Sequence, residues 1–424
     1  MKMKLQKIVN RLQKLHPKEI DLSLHRIKNL CKKLGNPQDE IKCIQVCGTN
    51  GKGSTISFLR SILKEANIRC NVYTSPHVRT INERFVYNDE VISDNDLSDL
   101  LCEIEEVNNN QPLTYFEALT AAFFYGCKKY KENLVIAEFG LFGRGDAVNI
   151  LKKNLCNVVT SCSEDHLDWL PKNERNIERI IFEKTSSLLN SNIVIAKQNS
   201  NEITECIKKN ISNNSANKYF FNEHYKFVLK ENNFFYYEDK YGGLKIPKPN
   251  LNGQFQLENA STAIATLRIL KNIRIKNQHI INGIQKASNI ARLQEIKSGK
   301  LKNLIKNNRL ILDSSHNPGG AKVLNEYLQT LDCNKHVIIG MMANKDHQKY
   351  ISYFKDITSL TTIDIPNQPN AISGKDLKEE FKDIPNVNYK ENIHDAIQSI
   401  DLKENDLVLI TGSLYLSGEF LNLN

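Results

Sequence analysis

No Cys-x-x-Cys pair occurs anywhere in the 424 residues, although the chain has ten cysteines. The closest, Cys43 with Cys47 and Cys156 with Cys162, have no second pair at metal-site spacing. That argues against zinc and disulfides and for reduced, mostly buried thiols. No apolar run approaches the roughly 20 residues of a membrane span. The N-terminal stretch from Met1 to Lys7 lacks the apolar core of a signal peptide and reads as an amphipathic helix, so no membrane partner and a cytoplasmic location are expected. There is no Arg-rich strip with interleaved aromatics, which argues against nucleic acid as a partner. The net charge of +9 reads as a Lys- and Asn-rich composition; attraction of anionic substrates is the alternative.

What remains is a soluble, globular composition, 25% charged and 40% hydrophobic, on a chain long enough for two or three domains. Its organising stretch is Val46-Cys47-Gly48-Thr49-Asn50-Gly51-Lys52-Gly53-Ser54-Thr55. A short apolar run from Ile41 to Val46 reads as a strand before it. Ile56, Leu59, Ile62 and Leu63 follow at helical spacing. Glycines on such a turn let the backbone approach phosphate oxygens, and the helix N-terminus favours anions. Lys52 supplies a point charge, and Ser54 or Thr55 a hydroxyl for Mg²⁺. The stretch departs from the common phosphate-loop pattern, with Val46 where a glycine would stand and Gly53 after the lysine.

Around it, residues 1–35 read as two helices, one with Leu5, Ile8, Val9, Leu12 and Leu15 on one face, the other with Leu24, Ile27, Leu30, Cys31 and Leu34. Pro17 marks the turn between them, with Asp21 as a candidate helix cap. Thr114 and Glu117 make a capping box for the helix that follows. Leu134 to Gly140 is a buried-type strand carrying one carboxylate, Glu138, near its C-terminal end, where open α/β sheets hold ligands. A buried glutamate needs a cation or hydrogen bonds to offset its desolvation, so Glu138 is read as a Mg²⁺ ligand. Val158 to Ser161 is another strand, running on toward His166. Tyr219 to Tyr237 alternates enough for short strands. From about residue 297 strand and helix units restart, with strands at Arg309–Asp313, His336–Gly340, Leu360–Ile365 and Leu407–Thr411. The expected fold is α/β: an N-terminal phosphate-loop ATPase domain on a mostly parallel sheet, residues 1–291, and a smaller Rossmann-like α/β domain, residues 292–424.

The Gly48–Thr55 string resembles the ATP loop of the Mur ligase superfamily, in the Gly-Lys-Gly-Ser form of folylpolyglutamate synthases. Further strings match in order. His16-Pro17 through Ile20-Asp21-Leu22 resembles a pteroate-binding segment of enzymes that are both dihydrofolate synthase and folylpolyglutamate synthase, with Ser23 in place of glycine. Ser75-Pro76-His77 and Glu83-Arg84 resemble a loop whose serine binds Mg²⁺. Thr114-Tyr115-Phe116-Glu117 resembles a segment bordering the pterin pocket. Gly143-Arg144-Gly145-Asp146-Ala147 resembles the family's Gly-Arg-Leu-Asp-Ala, with Phe142 where a glycine is usual and Val148 for threonine. Asp165-His166 resembles the second metal site. Glu183-Lys184 resembles a segment whose lysine is carbamylated, with Thr185 onward departing. Asn259 and Arg292 resemble nucleotide contacts, with Ala291 for the usual glycine. Asp313-Ser314-Ser315-His316-Asn317-Pro318 resembles Asp-Gly-Ala-His-Asn-Pro.

The resemblance implies an ATP-dependent amide ligase that joins L-glutamate to 7,8-dihydropteroate and further glutamates to tetrahydrofolate through an acyl phosphate. It assigns catalysis to Lys52, Glu138, His166 and Lys184. ATP contacts fall to Asn50 through Thr55, Asn259, Arg292, Asp313 and His316. Two Mg²⁺ ions fall to Ser54, Ser75, Glu138, His166 and a carbamylated Lys184, with a monovalent cation as a further cofactor. Pteroate contacts fall to Asp21, Thr114, Tyr115, Phe116, Glu117, Gly145, Asp146 and Ala147. A monomer that closes over ATP is expected. Alternatives are a monofunctional folylpolyglutamate synthase, a Mur-type amino-acid ligase, and a non-catalytic nucleotide-binding protein.

Overall fold

Near-continuous apolar strands bury both faces, which is the pattern of a parallel sheet covered by helices. The computed structural model describes residues 2–18, 20–230, 233–384 and 386–424, the side chains of Lys2 and Met3 aside. Glu19, inside the pteroate-like string, lies outside the described residues. The chain falls into two compact units, Met1–Pro249 with Leu257–Ala287, and Asn250–Gln256 with Ser288–Asn424.

The first unit is built on an 8-stranded sheet. Its order from one edge is Glu90–Val91, Phe85–Tyr87, Cys70–Tyr73, Leu134–Glu138, Lys42–Cys47, Cys156–Val159, Asn192–Ile195 and Lys218–Phe220. The first two pair antiparallel and the rest parallel. Lys42–Cys47 sits between Leu134–Glu138 and Cys156–Val159, with Val46 opposite both Glu138 and Val158. The chain therefore leaves three adjacent strands at one end of the sheet, where the strand order switches direction. A three-stranded antiparallel meander, Tyr225–Lys230, Phe234–Asp239 and Gly242–Pro247, accounts for the alternation seen from Tyr219 onward.

The two N-terminal helices, Lys2–Lys14 and His25–Lys33, bury Leu5, Ile8, Val9 and Leu12, and Ile27, Leu30 and Cys31. Asp21 does not cap the second helix. Leu24 holds that position without a side-chain bond, and Asp21 pairs instead with Arg26 at 2.8 Å. Thr114 does cap Tyr115–Gly126, with the reciprocal Glu117 bond in place. All ten cysteines are free, seven of them buried. Among the described residues no helix is long and apolar enough to cross a membrane.

The second unit carries a 6-stranded sheet in the order Gln294–Glu295, Arg309–Leu312, Leu407–Thr411, Lys335–Ile339, Ser359–Ile363, Val387–Lys390. All its pairings are parallel except the first. The two outermost strands carry no signal in the sequence. One has two residues, and the other is Val-Asn-Tyr-Lys with no residue buried. Neither has an apolar run to mark it.

Candidate active site

After the Lys42–Cys47 strand, the phosphate-type turn is zipped onto the segment that leaves the neighbouring strand. Thr49 and Asn50 donate their N–H groups to Ser161 O at 2.8 and 3.1 Å. Asn50 Nδ2 donates to Ser163 Oγ at 3.1 Å. Gly51, at φ +89°, precedes the helix Lys52–Glu65. The positive φ favours glycine, and a Cβ there would lie 2.5 Å from Asn259 Oδ1, so the amide would have to move to admit one. This close approach joins two expected nucleotide residues, Gly51 and Asn259. Ser54 and Thr55 are buried in the first turn. Among the described residues Thr55 Oγ1 has no hydrogen-bond partner. The helix N-terminus, with Gly53 in its first turn, presents backbone N–H groups to an anion.

Lys52 Nζ donates to Gly48 O and Thr49 O, both at 3.2 Å, and lies 3.9 Å from Glu138 Oε1. Glu138 is 6% exposed, and its Oε2 accepts the Ser75 N–H at 3.1 Å. Ser75 Oγ is itself buried with no hydrogen-bond partner among the described residues. An orphaned hydroxyl beside a buried carboxylate is a hard-oxygen pair that fits a divalent cation. Among the described residues no three His, Cys, Asp or Glu side chains gather as a metal site. The expected ligand set contains two residues of those types, the others being hydroxyls and Lys184.

The Ser75 loop is held by a residue to which the sequence reading gave no role. Glu83 accepts N–H bonds from Val78 at 2.8 Å, Arg79 at 3.0 Å and Thr80 at 3.1 Å. Arg84 Nε donates to His77 Nδ1 at 3.0 Å. Burial, helped by Arg84, pushes His77 down to about 4, so the ring is neutral and accepts that bond.

Lys184, 2% exposed, donates to Gly48 O at 3.1 Å and Leu141 O at 2.9 Å. Burial, with repulsion from Lys52, pushes its amine down to about 8. Phe142, the departure from the family glycine, lies under that amine, its ring centroid 5.5 Å away. The neighbouring Glu183 fixes the helix. Arg144 grips it through two bonds, 3.0 and 2.8 Å, and Arg179 pairs with it at 2.7 Å. His166 sits at φ +56° after the neighbouring strand's loop. Its N–H donates to Asp165 Oδ1 at 2.9 Å and its ring lies 3.8 Å from the same carboxylate.

The segments expected on the pteroate side are also packed together. Gly145, at φ +91°, would bring a Cβ within 3.1 Å of Leu22 O. A leucine would be strained there, which accounts for this departure. Asp146 is 2% exposed and takes N–H bonds from Leu141 at 3.0 Å and Val148 at 2.9 Å. Burial outweighs these bonds and lifts its carboxyl to about 6. Ala147 is buried, as are Thr114 and Phe116, while Tyr115 is partly exposed. For Asp21, burial alone would raise the carboxyl, but Arg26, with Lys18 and His16, holds it below the usual range.

In the second unit Arg292 lies between two non-glycine residues with positive φ, Ala291 at +53° and Leu293 at +44°. Asp313 braces this turn: its Oδ2 accepts Leu293 N at 2.8 Å and its Oδ1 accepts Ser315 N at 2.9 Å. His316 Nδ1 lies 3.0 Å from Ser314 O. The serines that replace the family's Gly-Ala turn into the unit. Ser314 Oγ donates to Ser417 Oγ at 2.8 Å, and Ser315 Oγ meets Tyr350 OH at 3.0 Å. Left-handed alanine costs about 1 kcal/mol that glycine avoids. Ala291→Gly relieves that strain but removes a fully buried methyl and loosens the unfolded chain, so its stability, read from urea unfolding midpoints, is expected to stay within about 1 kcal/mol of wild type.

The Mur ligase middle domain matches residues 46–267, and the Mur ligase glutamate ligase domain matches residues 292–414. The dihydrofolate synthase/folylpolyglutamate synthase of Bacillus subtilis is 30% identical over 414 residues, covering 92% of each chain. The structure of Escherichia coli FolC in complex with DHPP and ADP is similar with a TM-score of 0.87 at 28% identity, covering 99% of this chain and 97% of that one. A Yersinia pestis bifunctional folylpolyglutamate synthase/dihydrofolate synthase, complexed with AMPPNP and Mn ion, gives 0.86 at 26% identity over 99% and 97%. The chain belongs to the Mur ligase superfamily, among its dihydrofolate synthase/folylpolyglutamate synthases.

Proposed function

We infer that this protein is an ATP-dependent ligase of folate biosynthesis, adding L-glutamate to 7,8-dihydropteroate and further glutamates to tetrahydrofolate. The observation that carries the reading is the match to bifunctional enzymes over at least 92% of each chain, combined with Lys52, Glu138 and Ser75 meeting beside a glycine-rich helix start. In this reaction the substrate carboxylate attacks the γ-phosphate of ATP, giving an acyl phosphate and ADP. The glutamate amine then displaces phosphate, loses a proton and forms the amide. Positioning and charge neutralisation carry both steps.

Lys52 neutralises the triphosphate, and Asn50, Gly51, Gly53, Ser54, Thr55 and Asn259 position it, with Arg292, Asp313 and His316 as nucleotide residues of the second unit. Ser54, Ser75 and Glu138 would hold one divalent cation, and His166 with Lys184 a second. Such cations supply charge that polarises phosphate oxygens. Asp21, Thr114 to Glu117 and Gly145 to Ala147 form the pteroate side. The protein acts as a monomer. Phosphate release with ATP, glutamate and one candidate acceptor at a time tests the assignment. Release with tetrahydrofolate but none with dihydropteroate would reduce it to a monofunctional polyglutamylase.

Lys184 carries a carbamate in the working enzyme. What supports this is a buried amine whose charged form is destabilised, since only a neutral amine adds to CO₂. Intact-protein mass spectrometry and ¹³C NMR in ¹³C-bicarbonate are expected to show one carbamate, absent from Lys184→Arg. A wild-type spectrum without that signal removes the carbamate and leaves the ligase assignment standing.

A further inference from the structure

We propose that Arg26 is a positioning residue for the pteroate side of the site, holding the turn at Asp21 against the start of the Tyr115–Gly126 helix. The inference rests on the ligase reading above. Arg26 belongs to no string that carried the family resemblance. Its Nε donates to Glu117 Oε2 at 2.9 Å. Its Nη2 lies 2.8 Å from Asp21 Oδ2 and donates to Asp21 O at 3.4 Å. One planar group thus bridges two segments that are distant in sequence and are both assigned to the same substrate.

Glu117 makes the bridge consequential. Its side chain is 2% exposed, Oε2 also accepts Thr114 N at 2.8 Å, and Oε1 is buried with no partner among the described residues. Arg26 is the ion-pair partner of this carboxylate. The third segment is fixed in the same way at one remove, because Leu22, next to Asp21, is the backbone against which Gly145 packs. Lysine could meet one carboxylate but could not span both with a fork. None of these bonds reaches the Gly48–Thr55 turn, so the effect should fall on one substrate and not on ATP.

The test is steady-state kinetics on the 424-residue protein with dihydropteroate, ATP and glutamate varied in turn. Arg26→Lys is expected to raise the dihydropteroate KM by about tenfold, and Arg26→Gln by at least as much, with kcat and the KM values for ATP and glutamate within about threefold of wild type. Circular dichroism confirms that each variant is folded. If Arg26→Gln does not fold, Arg26→Lys decides. A folded Arg26→Lys with an unchanged dihydropteroate KM, a parallel rise in all three KM values, or an Arg26→Lys that does not fold each overturns the inference. Wild-type protein with no glutamate-dependent turnover of dihydropteroate would instead overturn the ligase reading, and this inference with it.

Discussion

Lys52→Ala is expected to lower glutamate-dependent phosphate release by about a thousandfold or more while leaving the protein folded. The side chain is 15% exposed at a helix start and donates only to the turn's own carbonyls, Gly48 O and Thr49 O, among its described bonds. Its removal therefore takes little from the core. On the proposed reading it takes away the cation that neutralises the triphosphate, at a side chain only 15% exposed. It also removes a positive neighbour from Glu138, 3.9 Å away. Phosphate release measures the first effect, and a thermal melt checks the fold. A variant within about tenfold of wild type would strip Lys52 of this role.

Glu138→Ala should be nearly as damaging, with a loss of about a hundredfold to a thousandfold. Glu138→Gln separates charge from shape. Its amide oxygen can still accept the Ser75 N–H, which Glu138 takes at 3.1 Å. The expectation is a Gln variant that folds but is less stable than wild type, because Lys52 loses its anionic neighbour 3.9 Å away, and that is still crippled. Manganese titration followed by electron paramagnetic resonance, with a non-hydrolysable ATP analogue present, should show weakened metal binding in both variants. Metal affinity unchanged in Glu138→Gln would move the divalent ion elsewhere.

How far the sequence led depended on whether the deciding partners were near in the chain. The turn at Gly48 to Thr55, the Thr114–Glu117 cap and the strand ending at Glu138 are local: spacing and hydropathy alone specify them. Asp21 reads as a candidate cap beside its pteroate-like string, and it caps nothing because the group that claims it, Arg26, also binds Glu117, 91 positions away from the arginine. The same holds for Ser314 and Ser315. Their hydroxyls look like losses beside a Gly-Ala pattern until Ser417 and Tyr350 are found opposite them. Glu83 was visible but mute, since three backbone donors converging on one carboxylate leave no side-chain signature. The strands Gln294–Glu295 and Val387–Lys390 are edges, and edges need no apolar run.

The contact between Gly51 and Asn259 reaches beyond this one protein. In a chimera of two related ligases, a crossover placed between those positions would pair one parent's loop with the other's helix. A parent whose residue 51 equivalent carries a side chain would push the amide at the 259 equivalent out of place, so the two positions are best inherited together. The meander Tyr225–Pro247 takes no part in that contact but is tied to the helix Phe255–Ile269 that carries Asn259: Arg268 meets Asp239 at 3.0 Å and donates to Gly242 O at 2.9 Å, so meander and helix would have to be exchanged together.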